Sequence, residues 1–300
     1  MRSQIFLFLI LITTLTGCKD NQALVEVAEE VIPNETEDKL LGKINKDELM
    51  KPVFAEWFQP AYEDYQVNTE LVESYKDRLK EYEIEVFMGT WCEDSQREIP
   101  TLYKILEAAD YPMEQLTIVA IDDEIENYKR SPGGEEGGRN IHHVPTIILK
   151  KNGNEVNRII EYPVRTLEED LQLILNGGYT PYYFAADMVH ARLNEMGLEN
   201  FKADLDKLAV EFTGKTRDVY ELNTYAKTIF RQGKKEEGIQ VATLNTMIYP
   251  NNPNAYAGLG SRYMDMEQYE EAAKYFGKAV AMAPDDSEFK GYLEEAQAKL

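Results

Sequence analysis

Strand-like runs in this chain fall between residues 84 and 160, and nothing after Tyr179 reads as a strand. That confines any sheet to one part of the chain and leaves the rest to helices. Four runs carry the signal: Ile84–Met88, Leu116–Ile121, Thr146–Leu149 and Arg158–Ile160. The second has the apolar character of a strand buried on both faces. Asn152-Gly153 separates the last two runs, a dipeptide that favours a tight hairpin turn. Between the first two, Ser95–Ala109 has helical periodicity. Thr166–Leu175 is predicted as a helix with Thr166 as N-cap and Glu169 completing a capping box, and Gly177-Gly178 ends it. The order is β-α-β-loop-β-β-α. Upstream, Pro52–Tyr65 places Val53, Phe54, Trp57, Phe58, Tyr62 and Tyr65 near helical spacing, and Leu71, Tyr75 and Leu79 repeat every fourth residue. Both read as packing faces. The fold class is an α/β domain with a central mixed sheet, followed by an all-α region.

The helical region contains a repeat. Pro250 and Pro284 lie 34 residues apart (284 − 250). Segment 253–286 carries Tyr256, Leu259, Gly260, Tyr263, Ala272, Phe276, Ala279 and Pro284 at the eight signature positions of a tetratricopeptide repeat, and it resembles that family. Close helix contact explains the pattern: small Gly260 and Ala272 admit bulky Tyr263 and Phe276. Segment 219–252 is a weaker copy that departs at Asn245, where a small residue is expected. Ser287–Leu300 reads as a capping helix, and residues 180–218 as two further helices. Such repeats stack into grooves that bind peptides or partner proteins; the alternative is that they cap the first domain.

The N-terminus sets the expected compartment. Met1-Arg2 precedes an apolar run, Ile5–Ile12, that is shorter than the roughly 20 residues a membrane span needs and has the length of a signal-peptide core. Leu15-Thr16-Gly17-Cys18 resembles a bacterial lipobox, which implies cleavage before Cys18 and a lipid on its sulfur. Two or more acyl chains anchor a protein stably. The expected organisation is a lipoprotein signal peptide over 1–17 and a lipidated Cys18 with an acidic tether over 18–42. The α/β domain with its helical extension then covers 43–178, and the repeat region 179–300. The expected location is the bacterial cell envelope, facing the periplasm or the surface. A formal net charge of −22 argues against nucleic acid as a partner and against anionic headgroups. The membrane contact expected is the lipid on Cys18.

The chain has two cysteines, so lipidation of Cys18 leaves Cys92 as the one available thiol. It sits in Gly89-Thr90-Trp91-Cys92-Glu93-Asp94-Ser95, between a strand and a helix. Strand, Trp-Cys-x-x-Ser and helix together resemble the thioredoxin superfamily. Pro100 falls eight residues after Cys92 (100 − 92), and Val144-Pro145-Thr146 precedes the next strand as the family's cis-proline loop does. The resemblance covers about residues 83–177 and extends to lipoproteins of the family with this motif. It implies a nucleophilic Cys92, a substrate-docking turn at Val144 and Pro145, and Trp91 shielding one side of the thiol. Ser95 would donate a hydrogen bond to the thiolate in place of a second sulfur. A helix N-terminus favours thiolate.

The departures limit the chemistry. Ser95 cannot resolve a mixed disulfide, so another thiol must. Val86 stands where active members carry a buried acid, and Glu93 and Asp94 add negative charge beside the sulfur. General dithiol reduction is excluded. Monothiol exchange or isomerisation on exported proteins, bound through the Cys92/Pro145 face and the repeats, is one reading. A non-catalytic scaffold using the same surfaces is the other. Cys92 with His142 and His143 would make a copper or zinc donor set, but adjacent residues of an extended segment diverge. One histidine is therefore expected to face solvent and one to pack, with no metal and no cofactor assigned. The Gly-rich, acidic stretch Ser131–Gly138 lacks the features of a phosphate loop and reads as a flexible insertion, with a lid over Cys92 as its possible role.

Overall fold

The computed structural model describes residues 39–300. The signal peptide, Cys18 and most of the expected tether lie outside the described residues. The end of that tether does not: Leu40 is fully buried, and Gly42–Ile44 forms strand β1. Three residues with an exposed lysine in the middle are too short to register as a strand by alternation, yet Ile44 and Leu40 both enter the core. Helix α1 (Lys46–Leu49) follows, with Asn45 and Glu48 forming a capping box.

Helix α2 (Pro52–Asp64) starts with proline at its first position, where the missing N–H costs nothing. Phe54 and Phe58 are buried, whereas Val53 is 54 % exposed and leaves the packing stripe. The helix expected through Leu71, Tyr75 and Leu79 is two short ones, α3 (Thr69–Glu73) and α4 (Lys76–Leu79). The Ser74 hydroxyl donates to the Leu71 carbonyl at 2.6 Å, a local bond that competes with helix continuation.

Strand β2 (Glu83–Met88) leads into α5 (Glu93–Ala108), and β3 (Leu116–Ala120) into an irregular stretch. Strands β4 (Thr146–Lys151) and β5 (Asn154–Ile160) form the hairpin, and α6 (Leu167–Leu175) closes the domain with its expected capping box. Asn152 and Gly153 have φ of 53° and 76°, the double left-handed geometry of a tight hairpin turn. The sheet order is β1-β3-β2-β4-β5; β2 and β3 are parallel and the other pairs antiparallel. Alternation divides the apolar residues between two faces. Ile84, Val86, Met88, Ile118, Ala120, Ile147 and Leu149 join the core formed with α2, α5 and α6. Phe87, Val119, Ile121 and Ile148 form a second cluster with Ile141 and Val144, against which Trp91 and Cys92 pack.

The region after residue 179 is helical among the described residues. Helices α7 (Phe184–Met196), α8 (Leu198–Ala203) and α9 (Leu205–Phe212) occupy the stretch expected to hold two. Gly197, at φ 72°, ends α7 and starts α8; the left-handed turn breaks what periodicity alone would continue. Helices α10 (Val219–Arg231) and α11 (Lys235–Ile248) form one hairpin, α12 (Pro253–Asp265) and α13 (Tyr269–Met282) the next, and α14 (Ser287–Ala298) caps them. The irregular Asn245 is fully buried, and its amide donates to the Val219 carbonyl and to Asn223, both at 2.8 Å. A polar bridge between helices there replaces small-residue contact. At Gly260 the contact is close: a Cβ would lie 2.8 Å from the Phe276 ring.

Gly260→Ala is expected to destabilise the chain by about 1–3 kcal/mol through overpacking. Gly277→Ala, whose Cβ meets open space, should be neutral or stabilising. Urea unfolding of both variants checks this; equal effects would contradict the close-packing account.

Candidate functional site

The end of β2 and the start of α5 build the site. The Cys92 N–H donates to the Gly89 carbonyl at 3.0 Å, closing a turn, and the Cys92 carbonyl accepts the Gln96 N–H at 2.9 Å. Cys92 is thus the N-cap residue of α5, in extended conformation. Gly89 is required by sterics: a Cβ there would lie 2.4 Å from the Trp91 ring. Trp91 is fixed by its Nε1–H, which donates to the Ile121 carbonyl at 2.9 Å. Thr90 is held twice. Its hydroxyl accepts the Leu40 N–H at 3.1 Å, and its carbonyl accepts from the Gln96 side chain at 2.7 Å. The segment before β1 therefore braces the thiol loop, a role that composition did not suggest for residues assigned to a tether.

Cys92 is a half-buried free thiol. Its Sγ–H donates to the Val144 carbonyl at 3.2 Å. The Val144–Pro145 peptide bond is cis, so Trp91, Cys92, Val144 and Pro145 meet at one place. Ser95 lies beneath the turn that carries Cys92. It is fully buried, and its Oγ accepts the Gly89 N–H at 3.2 Å, which makes it a brace for the turn under Cys92. Neither backbone acceptor of the docking turn is idle: the Val144 carbonyl takes the thiol, and the Pro145 carbonyl accepts the Glu161 N–H at 2.7 Å. The charges next to the sulfur are partly neutralised. Asp94 pairs with Arg97 at 2.6 Å, and Arg97 also reaches Glu98 at 2.8 Å.

The helical region packs on the far side of the same turn. His142 and His143 are both buried, 1 % and 5 % exposed, which replaces the expected arrangement of one solvent-facing and one packed ring. They do not diverge. Their rings stand nearly perpendicular with Nδ1 atoms 2.7 Å apart, because the turn into the cis peptide is not an extended strand. His143 stacks on Tyr183, centroids 4.3 Å apart, and His142 meets Tyr225 edge-on at 5.9 Å. Asn140 donates to Asp187 of α7 at 2.6 Å. His142 Nε2 lies 3.4 Å from the same carboxylate. Burial holds His143 well below its ordinary pKa, with His142 and Lys129 adding to the effect. The stretch Ser131–Gly138 folds into successive turns, with Ser131 bonded to Glu135 and Glu136. Gly137 and Gly138 line a cleft of about 340 Å³ with His190, Asn194, Gln232 and Lys234 of the helical region. Those contacts face the helices rather than Cys92.

Sequence reasoning missed Lys129 and Glu161. Lys129 is buried in the loop after β3, and burial brings it down to about 8. Glu161, just past β5, is pushed up to about 7 by burial and by Asp94. No sequence signal marks either, since lysine and glutamate are the residues expected outside.

The family model for thioredoxin matches residues 50–171, and that for the tetratricopeptide repeat matches residues 253–286. No curated protein matches the chain. The chain carries a thioredoxin-like domain and, near its C-terminus, a tetratricopeptide repeat.

Because the folded state disfavours protonated His143, acid should favour unfolding. The unfolded chain takes up the proton near pH 6.5, so this contribution is present above that pH and is lost as pH falls through the window below it. The slope is at most about 1.4 kcal/mol per pH unit for one proton. His143→Phe, which keeps the stack on Tyr183, should flatten the acid limb of stability against pH. An unchanged limb in denaturant titrations would contradict the buried neutral assignment.

Proposed function

We propose that this protein is a lipid-anchored, extracytoplasmic monothiol that exchanges disulfides on exported proteins, acting as an isomerase. The observation that carries the reading is Cys92 Sγ at the N-terminus of α5, 3.2 Å from the Val144 carbonyl beside cis-Pro145. A helix N-terminus stabilises thiolate. The thiolate attacks one sulfur of a substrate disulfide. A Cys92–substrate S–S bond forms, the substrate S–S bond breaks, and the second substrate sulfur leaves as thiolate. A thiolate of the same substrate then attacks the mixed disulfide and frees Cys92. Electrons balance within the substrate, so the cycle needs no second cysteine in this chain and no external reductant. The lipobox-like Leu15–Cys18 supports anchoring, and the repeats supply a surface for the substrate protein.

One observation favours a second reading, a non-catalytic scaffold. Val144 and Pro145 are buried, and both carbonyls already accept hydrogen bonds, so an extended substrate must displace contacts to dock.

Capture separates the two. Cells expressing the full chain are quenched with acid and a thiol-blocking reagent, and partners are recovered under non-reducing conditions. Wild type is expected to yield adducts released by dithiothreitol, and Cys92→Ala none. Partners retained equally by both, without a disulfide, would leave the scaffold.

A further inference from the structure

The cleft between the Gly-rich stretch and the helices has a volume of about 340 Å³, the size of a small-molecule site. Separate parts of the chain wall it. Arg130 comes from the loop after β3, Gly138 from the stretch before the cis-proline turn, and His190 from α7. Ile229 and Lys234 come from the end of α10 and the start of α11. Ile141 forms its foot, so the cleft opens beside the first residue of the turn that carries Val144 and Pro145.

Two cations stand here without a carboxylate. Acids outnumber bases 54 to 32 in the chain, yet among the described residues neither Arg130 nor Lys234 has one at ion-pair distance. Arg130 is half-buried. Its guanidinium is held by one bond, Nη2 donating to the Gln232 carbonyl at 2.9 Å, which leaves most of its five N–H donors without a protein acceptor. Glu136 shares the wall, but its carboxylate is engaged elsewhere. Its Oε2 accepts the Ser131 N–H at 3.0 Å and the Ser131 hydroxyl at 2.6 Å. Lys234 is the N-cap residue of α11 and gives it no side-chain cap, so the positive end of a 14-residue helix begins at the same wall.

The rest of the lining is neutral. His190 Nδ1 meets the Tyr225 hydroxyl at 2.8 Å, and its Nε2 meets the Asn194 amide nitrogen at 2.8 Å. An amide nitrogen only donates, so Nε2 accepts and the ring is uncharged. Ile141 and Ile229 supply an apolar surface, 2 % and 3 % exposed.

We propose that this cleft binds a small organic acid, its carboxylate held by Arg130 and Lys234 and its apolar body against Ile141 and Ile229. A guanidinium fork matches a carboxylate in plane, and the lysine adds a point charge. A bare inorganic anion would leave the apolar surface unmatched. Because the loop after β3 supplies one cation and the helical region the other, the ligand bridges the two halves of the molecule. No residue of the thiol loop lines the cleft, so the inference stands apart from the thiol-exchange reading.

The test uses the full chain carrying Cys18→Ser in titration calorimetry, with hexanoate, its neutral isostere hexanamide and inorganic phosphate as probes. Hexanoate should bind saturably, and Arg130→Gln and Lys234→Met should each weaken it by about tenfold or more, as expected for a lost hydrogen bond to a charged group. Lys234→Met keeps the test valid if Arg130→Gln disturbs the loop, because the exposed Lys234 side chain has no partner in the fold. Hexanamide should bind at least about tenfold more weakly than hexanoate, and phosphate should not displace hexanoate at equal concentration. No saturable hexanoate binding, binding unmoved by Lys234→Met, or equal binding of hexanamide overturns the proposal. Displacement by phosphate as readily as by hexanoate itself overturns it too, since the cleft would then read charge alone.

Discussion

The turn Ile141–Thr146 is the constraint on which the rest of this structure depends. Its position is set by the sheet, because Thr146 opens β4 opposite Phe87 on β2 and Ile160 on β5. One side of the turn presents the Val144 carbonyl to Cys92. The other side presents His142 and His143 to Tyr225 and Tyr183. The thiol site and the docking of the helical region are therefore two faces of one short segment. A shift of the turn would alter both, and the buried Thr146 hydroxyl, donating to the His143 carbonyl at 2.8 Å, fixes it further.

That arrangement accounts for a thiol without the usual second sulfur. Ser95 Oγ accepts the Gly89 N–H, and the core beneath is filled by Val86, Ile118 and Ile147. The polar group that meets the sulfur comes instead from outside the thiol loop: the Val144 carbonyl of the cis-proline turn. The helical region contributes by burial. Its α7 and α10 help turn this end of the sheet into a partly dry site, where charge interactions are stronger than in water.

Much of the fold is legible in the sequence for identifiable reasons. The strand runs, the Asn152-Gly153 turn, the Thr166 capping box and the 34-residue repeat are each local signals, written within a few residues or at one fixed spacing. The features that escape are decided by tertiary contact. Strand β1 exists because β3 offers an edge to Gly42–Ile44. Ser74 and Gly197 break helices whose apolar spacing continues across them. The two histidines converge because the backbone around the turn is irregular, which a rule for extended segments does not describe. Trp91, Cys92, Val144 and Pro145 do come together as the motif spacing implies, whereas the placement of Ser95, Lys129 and Glu161 depends on which neighbour each side chain meets.

The account requires that Cys92, though half-buried under the turn, reacts as a thiol in the folded chain. The most direct measurement is its reaction with a small aromatic disulfide, 5,5′-dithiobis(2-nitrobenzoate), in the native protein and in denaturant, with Cys18 replaced by serine. The account predicts one equivalent of released thiolate from the native chain, at a rate no slower than from the unfolded one. A native chain that releases nothing until denaturant is added would contradict it.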